Sequence, residues 1–349
     1  MQAVEIAGRW IGPGHPPYLI AEAGVNHNGN MDMAMALVDA AAAAGADAVK
    51  FQTFSAERLV TRQAPKAKYQ LETTSQSESQ YEMLKKLELS ESSHRQLLAR
   101  CQQKGILFLS SPFDETSADL LETLDLAAFK LPSGEITNHP YLAHVAGKGR
   151  PLILSSGMSS LGEVEAALQV IAAAGNPPLV LLHCVSQYPA PPEELNLRAM
   201  HTLETAFDVP VGFSDHTEGI EMPLVAVGLG AVMIEKHFTL DRSLPGPDHR
   251  ASLEPDELQR LAQGMRRVYI ALGDGRKQPA PSEIDTAAVA RKSLVAACDI
   301  PAGTQLTSAM LAVRRPGSGL PPALLPHLLG RRTAKDLAAS QLITWEDLA

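Results

Sequence analysis

The sequence predicts a (β/α)8 barrel followed by a small separate module. An apolar strand-like run followed by a helical or polar stretch recurs eight times over roughly 255 residues, the length that such a barrel needs. The runs show little polar alternation, as expected of parallel strands covered by helices. Each is apolar at its start and polar at its end, where barrel enzymes keep their active sites. A doubly wound open sheet is the alternative, but the first turn carries no G-x-G-x-x-G.

The barrel strands are predicted, in chain order, at 18–21, 48–52, 106–109, 127–130, 151–154, 179–182, 209–213 and 231–234. A helix is predicted over 31–44, because this stretch is rich in alanine and methionine and ends at Gly45, the residue type preferred after a helix C-terminus. A long polar excursion at 55–79 separates the second strand from helical stretches at 80–87 and 91–104. Strands and helices therefore alternate along the chain, as a barrel requires.

Beyond Leu272 the composition and the pattern of the sequence change. Glycine, proline and polar residues indicate a linker at 276–290 between a barrel at 1–275 and a module at 291–349. The module alternates turns with short β-like runs at 293–296, 300–303 and 311–317. A module of this size is only marginally stable alone, so we expect it to dock onto a barrel.

Composition restricts the class of protein. The chain has 349 residues, of which 45% are hydrophobic and 20% charged, enough for one large domain and a small one. A net charge of -9 argues against nucleic acid or an anionic membrane as a partner. Cys101, Cys184 and Cys298 are far apart and odd in number, which disfavours a disulfide framework and fits a reducing cytoplasm. No apolar run approaches the 18 or so residues that span a membrane.

Two histidines follow two successive strand-like runs. His216 lies three residues after the run at 209–213, and His237 lies three residues after the run at 231–234. The residues between the two runs leave room for a short crossover helix. Such a βαβ unit places the polar ends of its strands on one edge of the sheet, roughly 5 Å apart if the strands pair directly. Two imidazole nitrogens suit a borderline divalent ion, so the pair predicts a metal site open to Mn²⁺, Mg²⁺, Co²⁺ or Zn²⁺.

A cluster of cations and hydroxyls is predicted at the same edge. Lys50 and Lys130 supply point charge, and serines supply directed hydrogen bonds, a grouping suited to a phosphate plus a carboxylate. The serines are Ser111, Ser133, Ser155 and Ser214. A Schiff base on one lysine is the rival chemistry. Glu22 and Glu235 are candidates for proton transfer or metal contact, or else partners of the lysines.

Period-two alternation predicts which side chains share a face of a strand. The pairs of matching parity are Glu22 with Asn26, Lys50 with Gln52, Ser214 with His216, and Glu235 with His237. We therefore expect a pocket lined by these polar side chains.

Eight motifs together resemble the sialic acid synthase family. They are EAGVNHNG at 22–29, KFQTF at 50–54, SGE at 133–135, YPAP at 188–191, SDHT at 214–217, EKHFTLD at 235–241, PGPDH at 245–249 and RRPGSG at 314–319. The likeness covers nearly the whole chain, in the same order. It implies a (β/α)8 TIM barrel followed by an antifreeze-like (SAF, β-clip) domain, in a domain-swapped homodimer where that domain caps the partner's barrel.

The resemblance also implies an activity. The family condenses phosphoenolpyruvate with an N-acetylated mannose-type sugar: C3 of phosphoenolpyruvate attacks the sugar aldehyde, water adds at C2, and phosphate leaves. N-acetylmannosamine is the first choice of acceptor. The 2,4-diacetamido-2,4,6-trideoxy sugars of legionaminic and pseudaminic acid synthases remain open, whereas a 6-phosphate is disfavoured. A catalytically silent sugar-binding protein is the alternative from another class.

By similarity, His216 and His237 would bind Mn²⁺ or a substitute such as Mg²⁺ or Co²⁺, and Glu22 would act near the metal and the aldehyde. Phosphoenolpyruvate would contact Lys50, Ser111, Lys130, Ser133, Ser155, Ser186 and Ser214. The sugar would contact Gln52, Glu135, Tyr188, Asp248 and Arg315, the last from the partner's cap. Ser111 and Ser186 depart from the family, which often has threonine and asparagine there. Sugar-specific contacts are expected in the segment 64–70.

Overall fold

The computed structural model describes residues 1–75 and 77–349. Residue 76, in the predicted polar excursion, lies outside the described residues. The chain divides into two compact units, 1–273 and 274–349. The first unit holds the barrel, and the second holds the small module together with the helix that precedes it.

A short hairpin precedes the barrel. Strands β1 (Val4–Ile6) and β2 (Arg9–Ile11) pair antiparallel. Their buried side chains, Val4, Ile6 and Ile11, join the apolar cluster that fills the barrel interior together with residues such as Ile20 and Met233. The hairpin therefore covers the end of the barrel where the strands begin, and leaves the opposite end for a site.

Within the described residues, eight parallel strands form the barrel. They are β3 (Tyr18–Gly24), β4 (Ala48–Thr53), β5 (Leu107–Pro112), β6 (Phe129–Leu131), β7 (Leu152–Ser155), β8 (Leu179–Cys184), β9 (Val211–Asp215) and β10 (Met233–His237). The order in the sheet is β5-β4-β3-β10-β9-β8-β7-β6. Strands β5 and β6 also contact each other, so the series nearly closes. The predicted fold class is confirmed.

Helices follow the strands along the chain. Most of them cover the outside of the barrel, whereas the three short helices after β4 contribute residues to the cavity at its carboxyl end. The helices are α1 (Met31–Ala44), α2 (Ala56–Leu59), α3 (Lys68–Thr73), α4 (Gln80–Lys85), α5 (Glu91–Lys104), α6 (Glu115–Thr123), α7 (His139–Ala146), α8 (Leu161–Ala173), α9 (Ala199–Phe207), α10 (Glu221–Gly228) and α11 (Pro255–Leu272). The predicted helix at 31–44 is confirmed. It begins at the Asn30 cap and ends at Gly45, which has a φ of 81°.

The packing of α1 explains why this sequence forms a covering helix. Its buried residues, Ala34, Leu37, Val38, Ala41 and Ala44, recur at the three- and four-residue spacing that defines one helix face. This face joins the large apolar cluster between the strands and the helices. Among the described residues, no helix is long and apolar enough to cross a membrane.

The second unit has its own small core. It contains α12 (Ile284–Ala290), β11 (Ser293–Ala296), β12 (Leu311–Arg314) and α13 (Leu325–Leu328). Strands β11 and β12 pair antiparallel around buried residues such as Leu294, Ile300 and Leu337. The segment 276–290, predicted as a linker, contains the helix α12, which was not predicted from the sequence.

Candidate active site

A cavity of about 430 Å³ lies at the carboxyl ends of the barrel strands. Most of the residues predicted from the sequence line it: Glu22, Lys50, Gln52, Ser111, Lys130, Ser133, Ser155, Ser186, Tyr188, Ser214, His216, His237 and Asp248. Two predicted sugar contacts are not among the described lining residues. Glu135 is half-buried and accepts a hydrogen bond from Asn138 Nδ2 at 2.7 Å, and Arg315 is an exposed residue of the second unit.

The floor of the cavity carries a buried network of two lysines and two glutamates. Lys50 Nζ lies 2.6 Å from Glu22 Oε2 and 3.6 Å from Glu235 Oε2. Lys130 Nζ lies 3.3 Å from Glu235 Oε1. The sequence left the role of the two carboxylates open between chemistry and lysine pairing, and the structure shows that both pair with Lys50.

Hydroxyl groups complete this network. Lys50 Nζ donates to Ser111 Oγ at 2.9 Å, and Ser214 Oγ donates to Glu235 Oε1 at 3.0 Å. Ser155 Oγ is buried and has no hydrogen-bond partner among the described residues. A buried hydroxyl without a partner is costly unless a ligand satisfies it, so this side of the cavity is ready for a polar ligand.

The two carboxylates differ in how readily they take up a proton. Burial raises the pKa of Glu22 to about 7, against the opposing charge of Lys50. Burial would also raise the pKa of Glu235, but Lys130 and Lys50 lower it to about 2. Near neutral pH, Glu235 is therefore ionised, and Glu22 can hold or release a proton.

The two predicted metal ligands are neighbours in space. The ring centroids of His216 and His237 are 5.4 Å apart. His216 Nδ1 donates to the Val185 carbonyl oxygen at 2.7 Å, which fixes the tautomer and leaves Nε2 with its lone pair. His237 Nδ1 is buried and has no hydrogen-bond partner among the described residues, although Asp248 Oδ2 lies 3.9 Å away. Both rings can therefore present a nitrogen lone pair.

These residues fit a divalent ion held by two protein nitrogens. In residues 1–75 and 77–349, no group of three or more His, Cys, Asp or Glu side chains is arranged to hold a metal ion. The protein thus supplies the imidazole pair, and water or substrate oxygens would have to complete the coordination shell. This donor set is the one predicted from the sequence, and the metal itself stays a prediction.

Two tyrosines cover the histidine pair. The Tyr188 ring lies 4.1 Å from the His216 ring and 5.5 Å from the His237 ring, centroid to centroid. Tyr69, from α3, lies 5.0 Å from Tyr188. The sequence placed sugar-specific contacts in the segment 64–70 but did not single out Tyr69, because contacts between distant rings leave no signal in a single sequence.

One side of the cavity is apolar, and this feature was not predicted from the sequence. Its residues come from the ends of β3 and β5, from α2 and its C-terminal flank, and from α4 with the turn that follows: Val25, Leu59, Val60, Met83, Leu84, Leu87 and Phe113. The spacing of Met83, Leu84 and Leu87 gives one helix face. That pattern was available in the sequence, but it does not say whether such a face meets core or cavity.

Asn26 does not share the cavity with Glu22, so that prediction from parity was wrong. Strand β3 ends at Gly24, whose φ of 52° interrupts the alternation of faces. The Asn26 amide instead donates to the Phe238 carbonyl oxygen at 2.8 Å and to Ser252 Oγ at 2.9 Å. Asn26 therefore ties the barrel strands together outside the cavity.

Comparison with known proteins gives two family matches. The NeuB family model matches residues 37–277, and the SAF domain model matches residues 291–349. An N,N'-diacetyllegionaminic acid synthase of Legionella pneumophila is 48% identical over 335 residues, covering 95% of this chain and 94% of the relative. A synthase with the same name from Campylobacter jejuni is 48% identical over 327 residues, covering 93% of this chain and 98% of the relative.

A solved structure is similar in fold as well as in sequence. The N-acetylneuraminic acid (sialic acid) synthetase of Leptospira borgpetersenii, in complex with citrate, superimposes with a TM-score of 0.73 at 36% identity. The match covers 82% of this chain and 95% of that chain.

Proposed function

Because this chain belongs to the NeuB family of sialic-acid-type synthases, we propose that it condenses phosphoenolpyruvate with an N-acetylated sugar aldehyde and releases phosphate. The observation that carries the proposal is a pair of buried lysines and a pair of neighbouring histidines that line the same cavity. One pair suits the two anionic groups of phosphoenolpyruvate, and the other suits the aldehyde oxygen of the acceptor.

The charge balance of the cavity supports binding of an anion. With Glu235 ionised and Glu22 protonated, the two lysines and two glutamates carry one net positive charge. An incoming carboxylate or phosphate would meet this charge in a buried site, where electrostatic attraction is stronger than in water. Ser155, which has no partner among the described residues, would donate a further hydrogen bond.

We propose the following roles for the residues. Lys50 and Lys130 hold phosphoenolpyruvate with C3 facing the aldehyde carbon, so that orientation lowers the barrier. A divalent ion on His216 and His237 would supply Lewis acidity at the aldehyde. Glu22, with its pKa of about 7, gives a proton to the aldehyde oxygen as the carbon–carbon bond forms. Water then adds at C2, and phosphate leaves with cleavage of the C–O bond.

For the acceptor, we propose a 2,4-diacetamido-2,4,6-trideoxy sugar ahead of N-acetylmannosamine. The two relatives at 48% identity are named as N,N'-diacetyllegionaminic acid synthases. The apolar side of the cavity supports this choice, because a 6-deoxy sugar presents a methyl group where mannosamine presents a hydroxymethyl group. Burying a group of that size contributes about 0.8 kcal/mol, whereas burying an unpaired hydroxyl costs free energy.

The test is phosphate release from phosphoenolpyruvate with Mn²⁺ and a panel of N-acylated aldoses, followed by mass spectrometry of the products. We expect a product with the diacetamido-trideoxy sugar and a lower kcat/KM with N-acetylmannosamine. Sugar binding by calorimetry without phosphate release would instead support a silent binding protein. Trapping of substrate on Lys50 or Lys130 by borohydride would support a Schiff-base aldolase.

We also propose, from the family resemblance, that Arg315 completes the sugar site of a second copy of the chain. The test mixes two inactive variants, Arg315→Ala and His216→Ala. If Arg315 acts across copies, mixed dimers regain activity, because each contains one site with both residues intact. No recovery on mixing, with mixed dimers shown to be present, would contradict this role.

A further inference from the structure

A buried ion pair lies on the faces of β9 and β10 that point away from the cavity. Lys236 and Asp215 are register partners in the two strands, and Lys236 Nζ lies 2.5 Å from Asp215 Oδ2. Both side chains are 0% exposed. Neither residue lines the cavity among its described lining residues, so this pair has no part in the proposed chemistry.

The pair also closes the turn that follows β9. Asp215 Oδ1 accepts from the Thr217 backbone N–H at 3.0 Å, and Asp215 Oδ2 accepts from Thr217 Oγ1 at 3.1 Å. Lys236 Nζ donates to the Thr217 carbonyl oxygen as well. The three residues thus form one hydrogen-bonded cluster in which the two charges are paired, and His216 lies between two of its members in the chain.

The backbone ladder between β9 and β10 stops one residue short of the two histidines, although His237 also pairs with Glu22 of β3. The register between β9 and β10 runs from Ile234 opposite Phe213 to Lys236 opposite Asp215. His216 and His237 are each the next residue along the chain. At this last pair the side chains add a second link between the two strand ends, because Lys236 Nζ on β10 contacts both Asp215 on β9 and Thr217 just after it.

We propose that the Lys236–Asp215–Thr217 cluster is a positioning device that sets the spacing of the His216 and His237 rings for one metal ion. This inference rests on the proposed function, which assigns a metal to that pair. Charged hydrogen bonds fix direction and distance, whereas apolar packing of similar volume allows small shifts. Ligand spacing tolerates only small errors, so groups behind the ligands control metal affinity.

The critical variant is the double replacement Lys236→Met with Asp215→Leu. It removes the directed bonds without leaving a buried charge unpaired. The Thr217 N–H, hydroxyl and carbonyl oxygen lose the partners that they have in this cluster, so some loss of stability is expected and is measured separately. The matched control is Arg100→Met with Asp39→Leu, which removes an ion pair between α5 and α1 in the outer helix layer. Both are made in the full-length chain.

The protein is titrated with Mn²⁺ alone, and the free ion is measured by electron paramagnetic resonance. Thermal unfolding of each variant is measured in parallel to show that it is folded. We expect the double variant to bind Mn²⁺ about 10- to 100-fold more weakly, and the control pair to bind as the wild type does. The KM for phosphoenolpyruvate should stay within about twofold, since Lys50 and Lys130 are untouched, whereas a general loss of structure would raise it too.

Unchanged Mn²⁺ affinity in the folded double variant would overturn the inference while leaving the proposed function intact. Absence of Mn²⁺ binding by the wild type would overturn the metal part of the proposed function, and this inference with it. If the double variant does not fold, Thr217→Val decides. It removes only the hydroxyl bond, and wild-type Mn²⁺ affinity in that variant would also overturn the inference.

Discussion

The two faces of strands β9 and β10 differ in how completely their polar groups are paired. On the cavity face, His237 Nδ1 is buried without a hydrogen-bond partner among the described residues. On the opposite face, the charges of Lys236 and Asp215 are paired with each other and with Thr217. The same strands thus carry both kinds of environment, one residue apart.

This difference teaches how a barrel separates binding from positioning. A buried polar atom without a partner costs free energy, and where it faces the cavity a bound ligand can satisfy it. A cluster whose charges are paired with each other has little to offer a ligand, but it holds its neighbours in one geometry. Because successive side chains alternate between faces, each strand can serve both purposes within a few residues.

The largest expected effect is on the cavity face. His216→Ala and His237→Ala should each lower phosphate release from phosphoenolpyruvate by about 10³-fold or more, since loss of a metal ligand removes several kcal/mol of transition-state stabilisation. Treatment of the wild type with EDTA should have the same effect, and added Mn²⁺ should reverse it. The exposed His201→Ala is the control. Undiminished turnover in either histidine variant would contradict the proposed role of the pair.

Lys50, inside the cavity, and Lys236, outside it, should sharpen the comparison. Lys236→Met leaves the Asp215 carboxylate buried without its ion-pair partner, so it should lower the free energy of unfolding by about 3–5 kcal/mol in urea titrations. Lys50→Met should lower it less, because Glu22 can take up a proton and Glu235 keeps its contact with Lys130. Lys50→Met should also raise the KM for phosphoenolpyruvate, whereas Lys236→Met should not do so directly. The exposed Lys85→Met is the control. Equal KM values in the two variants would mean that lysines inside and outside the cavity do not differ in their role in binding phosphoenolpyruvate.

Buried histidines outside the cavity should make the fold sensitive to acid. Burial lowers the pKa of His27 from 6.5 to about 4, and that of His249 similarly. The unfolded chain binds these protons below about pH 6.5 and the folded chain does not, so this stability is complete near pH 7 and is lost as the pH falls towards 4. For His27 the loss amounts to about 3 kcal/mol.

The measurement for this prediction is urea unfolding between pH 7 and pH 4.5. The His27→Asn variant should show a shallower fall in stability with acid than the wild type, because one of the depressed groups is gone. The exposed His201→Gln should keep the wild-type slope. A stability that is constant between pH 7 and 4.5 would contradict the neutral state of His27 in the fold.

The smallest expected effect is at the aromatic cover of the cavity. Tyr69→Ala removes the ring that packs on Tyr188, and such a pair contributes about 0.5–1.5 kcal/mol. The KM for the acceptor sugar should rise about 2- to 10-fold, with the KM for phosphoenolpyruvate unchanged. Tyr69→Phe, which keeps the ring, should behave as the wild type. An equal rise in both KM values would assign Tyr69 to the architecture of the cavity as a whole.

Much of the fold and of the cavity face could be predicted from the sequence. The apolar-to-polar gradient of each strand predicts the barrel and the end that carries the site. The shared parity of Ser214 with His216 and of Glu235 with His237 predicts that they line one cavity, and all four do. Asn26 shows the limit of this reasoning, since the positive φ of Gly24 ends the alternation before it reaches that residue.

The sequence by itself determined the order of the strands along the chain, which of their residues face inward, and the residue types available for chemistry. Only the tertiary structure decided that Lys50 contacts two carboxylates, that Tyr69 packs on Tyr188, and that Lys236 bridges Asp215 and Thr217. The physical reason is that alternation along a strand is local, whereas these contacts depend on the register between strands and on how a distant loop folds over them.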